Sequence, residues 1–135
     1  MSKPEAASIH LGVEDGVVGD VHAGPGDRQV ALIAQETRTA LIAQVGALAC
    51  GALGENLVLA VPARALQPGT LLRFPGGALL EVTGARTPCV ELEQVARGLL
   101  RAAVGRCGSF ATVRRGGLVT PGDRVTPVMA TTPRP

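Results

Sequence analysis

The sequence predicts a mainly β fold with two or three short helices, arranged as a closed or partly open β-barrel. Eighteen glycines and ten prolines divide the 135 residues into short segments, and short strands between frequent turn signals are typical of barrels and sandwiches. Apolar residues make up 46% of the chain, which suffices for one buried core. That core is predicted to be aliphatic, because Phe74 and Phe110 are the only aromatic residues.

The pattern predicts a single domain over residues 9–130. Residues 1–8 are expected to form a loose leader and residues 131–135 a loose tail, since both are short terminal segments. Four glycines, a proline and two aspartates between residues 16 and 27 predict a loop.

Two segments of the first half carry regular apolar patterns. Residues 29–34 are a short apolar run that predicts a buried strand. Residues 36–48 have the spacing of an amphipathic helix, with Leu41, Val45 and Leu48 on one face. A second glycine loop at 51–55 and a strand at 56–60 are expected to follow.

The second half predicts two hairpins around a helical region. Strands at 70–74 and 78–83 are expected to pair across a Pro-Gly-Gly turn. Residues 90–104 have helical spacing that Gly98 divides into two short helices. The remaining predicted elements are a hairpin of 109–114 with 118–119 across Arg115-Gly116-Gly117, and a last strand at 124–128.

Composition excludes several classes of function. The net charge is only +2 without runs of like charge, and Trp and Tyr are absent, so no nucleic-acid partner is expected. Lys3 is the only lysine and lies in the predicted leader, which argues against pyridoxal-phosphate chemistry. No apolar stretch is long enough to cross a membrane. Three cysteines without a CxxC pair, and no apolar signal segment, indicate the reducing cytoplasm.

Cys89 is the predicted reactive residue. Thr87 is a good N-cap and Pro88 suits the first helical position, which would place Cys89 second in a helix beside unpaired N–H groups. Arg86 adds a cation, and such settings favour thiolate, although Glu91 and Glu93 act in the opposite direction. The alternative is that the cysteine only fills space, as buried free cysteines often do, and that is the expectation for Cys50 and Cys107.

Several segments, in their order along the chain, resemble the MOSC domain, the module found at the C-terminus of molybdenum cofactor sulfurases. The similarity extends over residues 12–128, and its most specific part is the spacing of a Gly-Glu-Asn-Leu motif and an Arg-Thr-Pro-Cys motif. The segments that carry it are Gly19-Asp20-Val21-His22-Ala23-Gly24, Asp27-Arg28-Gln29-Val30, Gly51-Ala52-Leu53-Gly54-Glu55-Asn56-Leu57, Arg86-Thr87-Pro88-Cys89, Gly98-Leu99-Leu100 and Gly122-Asp123-Arg124-Val125.

The resemblance implies a β-barrel-like fold, a molybdenum–molybdopterin cofactor, and Cys89 as catalytic residue, metal ligand or sulfur carrier. Relatives in this family take part in sulfur transfer or reduce N-hydroxylated compounds with electrons from partner proteins. A redox role therefore requires an external electron donor, and a sulfur-transfer role requires a sulfur donor. The oligomeric state stays open, and a homo-oligomer is one option.

The other candidate residues each have a second interpretation. Arg28 and Arg86 could hold the anionic tail of the cofactor, or form surface ion pairs. Asp20 and His22 could contact a ligand or shuttle a proton, or simply cap an exposed turn; a zinc site at His22 lacks convincing further ligands. Glu55 and the neighbouring Asn56 could shape a pocket beside Cys89, or only cap a loop.

Two further hypotheses compete with the cofactor-binding function. The chain could be a binding module without chemistry, because its N-terminal part is short for the family. It could also be a structural or oligomerising β domain whose glycine loops serve turn geometry alone. Selective reactivity of Cys89 and retention of a pterin distinguish these hypotheses.

Overall fold

The computed structural model describes residues 8–18, 26 and 28–129 and confirms the mainly β class. Within these residues nine strands alternate with three short α-helices and one turn of 3₁₀ helix. The elements are β1 (Ile9–Gly12), β2 (Gly16–Val17), β3 (Val30–Ala34), α1 (Gln35–Val45), β4 (Leu57–Leu59), the 3₁₀ turn (Ala63–Ala65), β5 (Leu71–Arg73), β6 (Leu79–Ala85), α2 (Leu92–Val95), α3 (Leu99–Ala102), β7 (Ser109–Arg115), β8 (Gly117–Val119) and β9 (Thr126–Val128).

Six strands form the main sheet in the order β4-β3-β7-β6-β5-β9, and this sheet is strongly curled. Its neighbours are antiparallel except for β3 and β4, which run parallel. Irregularities in the β6–β7 pairing, at Leu79/Leu80 and at Val82/Gly84, add bend and twist to these strands. Because β4 and β9 do not pair within the described residues, the architecture is the partly open form of the predicted barrel.

The first predicted hairpin is present. Leu72 of β5 pairs with Leu80 of β6, and the two strands are connected through the Pro-Gly-Gly turn. On β6, Leu80 and Val82 are completely buried together with the preceding Ala78, as the alternation of side chains along a strand requires.

The second predicted hairpin is wrong, because β8 pairs with β1 and not with β7. A tight two-residue hairpin turn needs positive φ, and neither Gly116 nor Gly117 has it. The chain instead continues past two neighbouring backbones: a Cβ on Gly116 would lie 2.7 Å from the Leu11 carbonyl oxygen, and one on Gly117 would lie 2.6 Å from the Ala78 nitrogen. Only glycine fits at such close approaches, because a side chain would clash with the neighbouring backbone.

The N-terminal part also differs from the prediction. Strand β1 was not expected, and β2 lies inside the predicted loop at 16–27. The two strands pair with each other, and with β8 they form a three-stranded sheet. This pairing buries Leu11 and Val17 in the core, which explains why a short segment of low regularity becomes a strand.

The helices follow the predicted positions with shorter bounds. α1 ends at Val45, three residues before the predicted end, and the Gly46 that follows it has φ +100°. Gly98, with φ +85°, separates α2 from α3 as expected. None of the helices among the described residues has the length and apolarity needed to span a membrane.

Strand β3 separates two apolar clusters. Val30, Leu32 and Ala34 belong to the cluster inside the curled sheet, whereas Ile33 faces the cluster under the helices. This second cluster contains Leu41, Leu48, Leu53, Leu92, Leu99 and Cys107. Strand β3 therefore ties the sheet to the loops and helices that surround the predicted site.

Candidate functional site

The candidate site lies where β6 leaves the main sheet and Arg86 anchors the departing chain. The Arg86 amide donates to the Gly108 carbonyl over 3.0 Å, which extends the β6–β7 pairing by one residue. Its guanidinium donates to the Leu53 carbonyl over 2.8 Å and to the Cys107 carbonyl over 3.4 Å. Arg86 therefore joins the second glycine loop to the start of β7.

Cys89 lies in the connection between β6 and α2, and its thiol is exposed. The predicted helix start at Thr87 is wrong, because α2 begins at Leu92. Amides of Leu92 and Glu93 instead donate three residues back, to the carbonyls of Cys89 and Val90, which forms a tight turn before the helix. A helix dipole at the sulfur is consequently absent, and α2 itself is only four residues long.

The Cys89 sulfur is directed at a carboxylate. Its Sγ donates to Glu91 Oε1 over 2.5 Å at an exposed position. The acidic residue that the sequence placed near Cys89 is thus its direct partner.

Glu55 is buried, 4% exposed, and its carboxylate organises the second glycine loop. Its two oxygens accept the amides of Gly51 and Leu53 over 3.2 and 3.0 Å. Nε of Arg38, on α1, lies 3.5 Å from Oε2 of Glu55. The same guanidinium also donates to the Leu48 and Ala49 carbonyls. Sequence reasoning missed Arg38, since nothing in its local pattern separates it from other helix-surface arginines.

Asn56 is bound to the backbone of β3. The side-chain Oδ1 of Asn56 accepts the backbone amide of Ala31 over 2.8 Å, and the backbone amide of Asn56 donates to the Ala31 carbonyl over 2.8 Å. Both Glu55 and Asn56 thus hold the loop and the start of β4 in place, and their contact with a ligand stays a prediction.

Two arginines share one aromatic ring. The guanidinium carbons of Arg28 and Arg86 lie 5.4 and 5.5 Å from the centroid of Phe110. Both distances fit cation–π contacts, and neither arginine forms an ion pair with another residue in the described part of the chain. The pair concentrates positive charge beside the anchored end of β6. The sequence singled out both arginines but gave no sign that Phe110 brings them together.

Cys107 is buried, 2% exposed, and belongs to the cluster under the helices. Burial raises the pKa of the Cys107 thiol from its ordinary value; the charge of Arg86 lowers it, and those of Glu55 and Cys89 raise it. Cys107 therefore packs as predicted, yet it lies among the candidate site residues. Cys50 does not pack as predicted, because it is exposed in the turn that precedes Gly51.

Asp20 and His22 lie outside the described residues, as does most of the predicted loop at 16–27, so their contact with a ligand stays a prediction. Across residues 8–18, 26 and 28–129 no three His, Cys, Asp or Glu side chains cluster as a metal site would require. An open depression over the α2–α3 turn is lined by Glu93, Arg97, Gly98, Leu100, Arg101 and Val104 and does not include Cys89.

The strongly curled, mainly β sheet is the kind of fold that the sequence resemblance implied. The family model of the MOSC domain matches residues 18–126, so the chain belongs to the MOSC domain family. This confirms the resemblance of the motifs; the family is associated with the molybdenum cofactor.

Solved structures show the same fold. YuaD from Bacillus subtilis superposes with a TM-score of 0.81 at 23% identity, over 93% of this chain and 87% of that protein. YiiM from Geobacillus stearothermophilus gives 0.65 at 23% identity, over 90% and 73%. YiiM from Escherichia coli gives 0.69 at 20% identity, over 93% of this chain but 64% of that protein, so the chain spans less than two thirds of it. A search of curated proteins found no match.

Proposed function

We propose that this protein binds a molybdenum–molybdopterin cofactor, or a sulfur atom destined for it, through Cys89. The observation that carries the proposal is the exposed Cys89 thiol on a connection that Arg86 fixes to the curled sheet. Family membership supports the class of cofactor. A thiolate is the soft ligand that such a metal accepts, and it is also the nucleophile of sulfur transfer.

The charges of the described residues fit an anionic ligand. Arg28 and Arg86 place two guanidinium groups on the ring of Phe110, and no carboxylate of the described residues forms an ion pair with either. Two positive charges in one region of the surface favour the binding of an anion there. Guanidinium forks bind phosphate in bidentate geometry, and Arg28 is exposed and free to do so.

The cofactor, when bound, would supply the redox centre or the sulfur acceptor. Cys89 would provide the ligand after its thiol loses the proton that is now directed at Glu91. Arg28 and Arg86 would hold the anionic tail. Glu55 and Asn56 would keep the second glycine loop in position for Arg86, whose guanidinium binds the Leu53 carbonyl in that loop.

The direct test is to purify the protein from cells that are supplied with molybdate and to measure molybdenum by mass spectrometry and pterin by fluorescence after oxidation. The wild-type protein is expected to retain both, and Cys89→Ala is expected to lose most of the metal. Cys50→Ala is the matched control, because Cys50 is also an exposed free cysteine. It should retain the metal as the wild-type protein does.

The sulfur-carrier form of the proposal has its own readout. Protein without molybdenum would carry an additional sulfur atom on Cys89 after incubation with a persulfide donor, as seen by peptide mass. A wild-type protein that retains no molybdenum or pterin and accepts no sulfur on Cys89 would overturn the proposal in favour of a structural domain.

A further inference from the structure

We propose that Cys89 and Cys107 form a reversible disulfide within the chain when the protein meets a peroxide. Cys89 would be the thiol that is oxidised first, and Cys107 the thiol that resolves it. This inference concerns the cysteines alone and does not depend on cofactor binding.

The β6–β7 ladder brings the two cysteines together. Ala85 pairs with Ser109, and the Arg86 amide continues the ladder to the Gly108 carbonyl. Cys107 is therefore the residue next to Gly108 where the two segments run on past the ladder, and the Arg86 side chain binds its carbonyl. Cys89 follows Arg86 by only three residues on the opposite segment.

The two cysteines differ in ways that suit the two roles. Cys89 is exposed, so a peroxide in solution reaches it first, whereas Cys107 is 2% exposed. Cys107 is also fixed, because Gly108 has φ +87° and lies against the Leu32 backbone, where a Cβ would clash with the carbonyl oxygen.

The Cys89 side is the one that can move. Residues 86–89 lie in no helix or strand, and Cys89 and Val90 are both exposed. A disulfide needs Cα atoms about 4.4–6.8 Å apart, so closure requires the 87–91 connection to turn toward the start of β7. A movement of residues 87–89 breaks no helix or strand, because these residues belong to neither.

The chemistry balances with hydrogen peroxide as the oxidant. The Cys89 thiolate attacks one peroxide oxygen, the O–O bond breaks, and sulfenic acid and hydroxide form. The Cys107 sulfur then attacks the Cys89 sulfur and displaces hydroxide, which leaves as water with the Cys107 proton. One S–S bond replaces two thiols, peroxide is reduced to two waters, and an external thiol restores the reduced pair.

Such a bond would withdraw Cys89 from any ligand and protect it from irreversible oxidation. Sulfenic acid that finds no thiol proceeds to sulfinic acid, which most cells cannot reverse. The buried partner thus converts a loss of the reactive sulfur into a reversible state.

The test is peptide mapping of the purified protein after peroxide treatment and alkylation of the remaining thiols. Trypsin places each cysteine in a separate peptide: Cys50 in 39–64, Cys89 in 87–97 and Cys107 in 107–114. The expected product is a crosslink between 87–97 and 107–114, reversed by dithiothreitol, with Cys50 still alkylated and the protein monomeric on a non-reducing gel.

Variants separate this from unspecific oxidation. Cys50→Ser should form the same crosslink as the wild-type protein. Cys107→Ala, checked for folding by circular dichroism, should accumulate sulfinic acid on Cys89 at peroxide doses that leave the wild-type protein reversible. A wild-type product in which Cys89 is sulfinic while Cys107 is still alkylated, or in which the crosslink joins two chains, would overturn the proposal whether or not molybdenum binds.

Discussion

The environment of Cys89 is set by one neighbouring side chain. The sequence predicted a helix N-terminus around this residue, and the structure replaces it with a tight turn and the Glu91 carboxylate. The thiol is accessible but carries a negative group against it. The hydrogen of this thiol is therefore held by a carboxylate whose charge a single substitution removes.

Replacing Glu91 with Gln is expected to accelerate alkylation of Cys89 about two- to fivefold at neutral pH. The substitution removes the negative charge that accepts the thiol hydrogen and lies against the attacking sulfur, and exposed charge interactions of this kind amount to about 0.2–1 kcal/mol. The measurement is the rate of iodoacetamide labelling of peptide 87–97, with Cys50 labelling in the same sample as the reference.

Glu93→Gln is the matched control for this prediction. Glu93 lies two residues further along, but its carboxylate accepts the amides of Gly98 and Leu100 and not the thiol. Its replacement should leave Cys89 labelling close to the wild-type rate. Equal acceleration by both variants would point to a general change of charge and would contradict the role given to Glu91.

Single residues of the site could be predicted only in part. Arg86 and Cys89 were identified from an arginine and a cysteine around a Thr-Pro pair, and the structure places them on one connection. Glu91 was seen as an opposing charge. The contact of the Phe110 ring with both Arg28 and Arg86 could not be predicted, because the position of Phe110 depends on the pairing of β7 with its neighbouring strands.

At the scale of elements, one glycine, Gly108, determines where Cys107 and strand β7 lie. Gly108 has φ +87° and faces the Leu32 carbonyl of β3. Positive φ costs an alanine about 1–2 kcal/mol, and a Cβ here must in addition displace a strand backbone. The glycine therefore sets the spacing between two strands of the main sheet.

Gly108→Ala is expected to lower the free energy of unfolding by about 3 kcal/mol or more, as for other severe backbone and packing conflicts. Gly77→Ala is the matched control, because Gly77 has φ +97° but a Cβ at this position would meet no atom within 4 Å. It should cost only the backbone strain, about 1–2 kcal/mol. Urea unfolding of the three proteins measures both values, and similar losses for the two variants would refute the close-approach argument.

Elements with local signals were predictable, and elements that depend on distant pairing were not. The Pro75-Gly76-Gly77 turn, the apolar run of β3 and the helix break at Gly98 are all in the structure. The segment Arg115-Gly116-Gly117 has the same kind of local turn signal as the first turn, but β8 pairs with β1. The pairing of β8 with β1, and not with β7, is favoured by the burial of Leu11 and Val119 in the common core.

At the scale of the whole molecule, Cys107 links stability to alkaline pH. Burial raises the pKa of this thiol above its ordinary value of 9.0. The unfolded chain therefore loses the thiol proton at a lower pH than the folded chain does. Stability from the buried thiol is complete below pH 9.0 and decreases as the pH rises through the folded pKa.

The expected outcome is a lower free energy of unfolding at about pH 10.5 than at about pH 8, measured with urea in the presence of a reductant. This chain suits a comparison of stability between the two pH values because it has no tyrosine and one lysine, so few other side chains titrate in this range. Cys107→Ala should show a flatter dependence. An equal decrease in the variant would assign the effect to other groups.

The pairing of β1 with β8 has a consequence for synthesis in the cell. About a hundred residues of chain separate Leu11 from its partner Gly117, and at roughly 5–20 residues per second a ribosome needs roughly 5–20 s to make them. During that interval the one strand partner that β1 has among the described residues is the two-residue β2, and an unpaired strand edge invites association with other chains. Slow translation should therefore expose nascent chains of this protein to aggregation, and faster elongation through the middle of the message should reduce it.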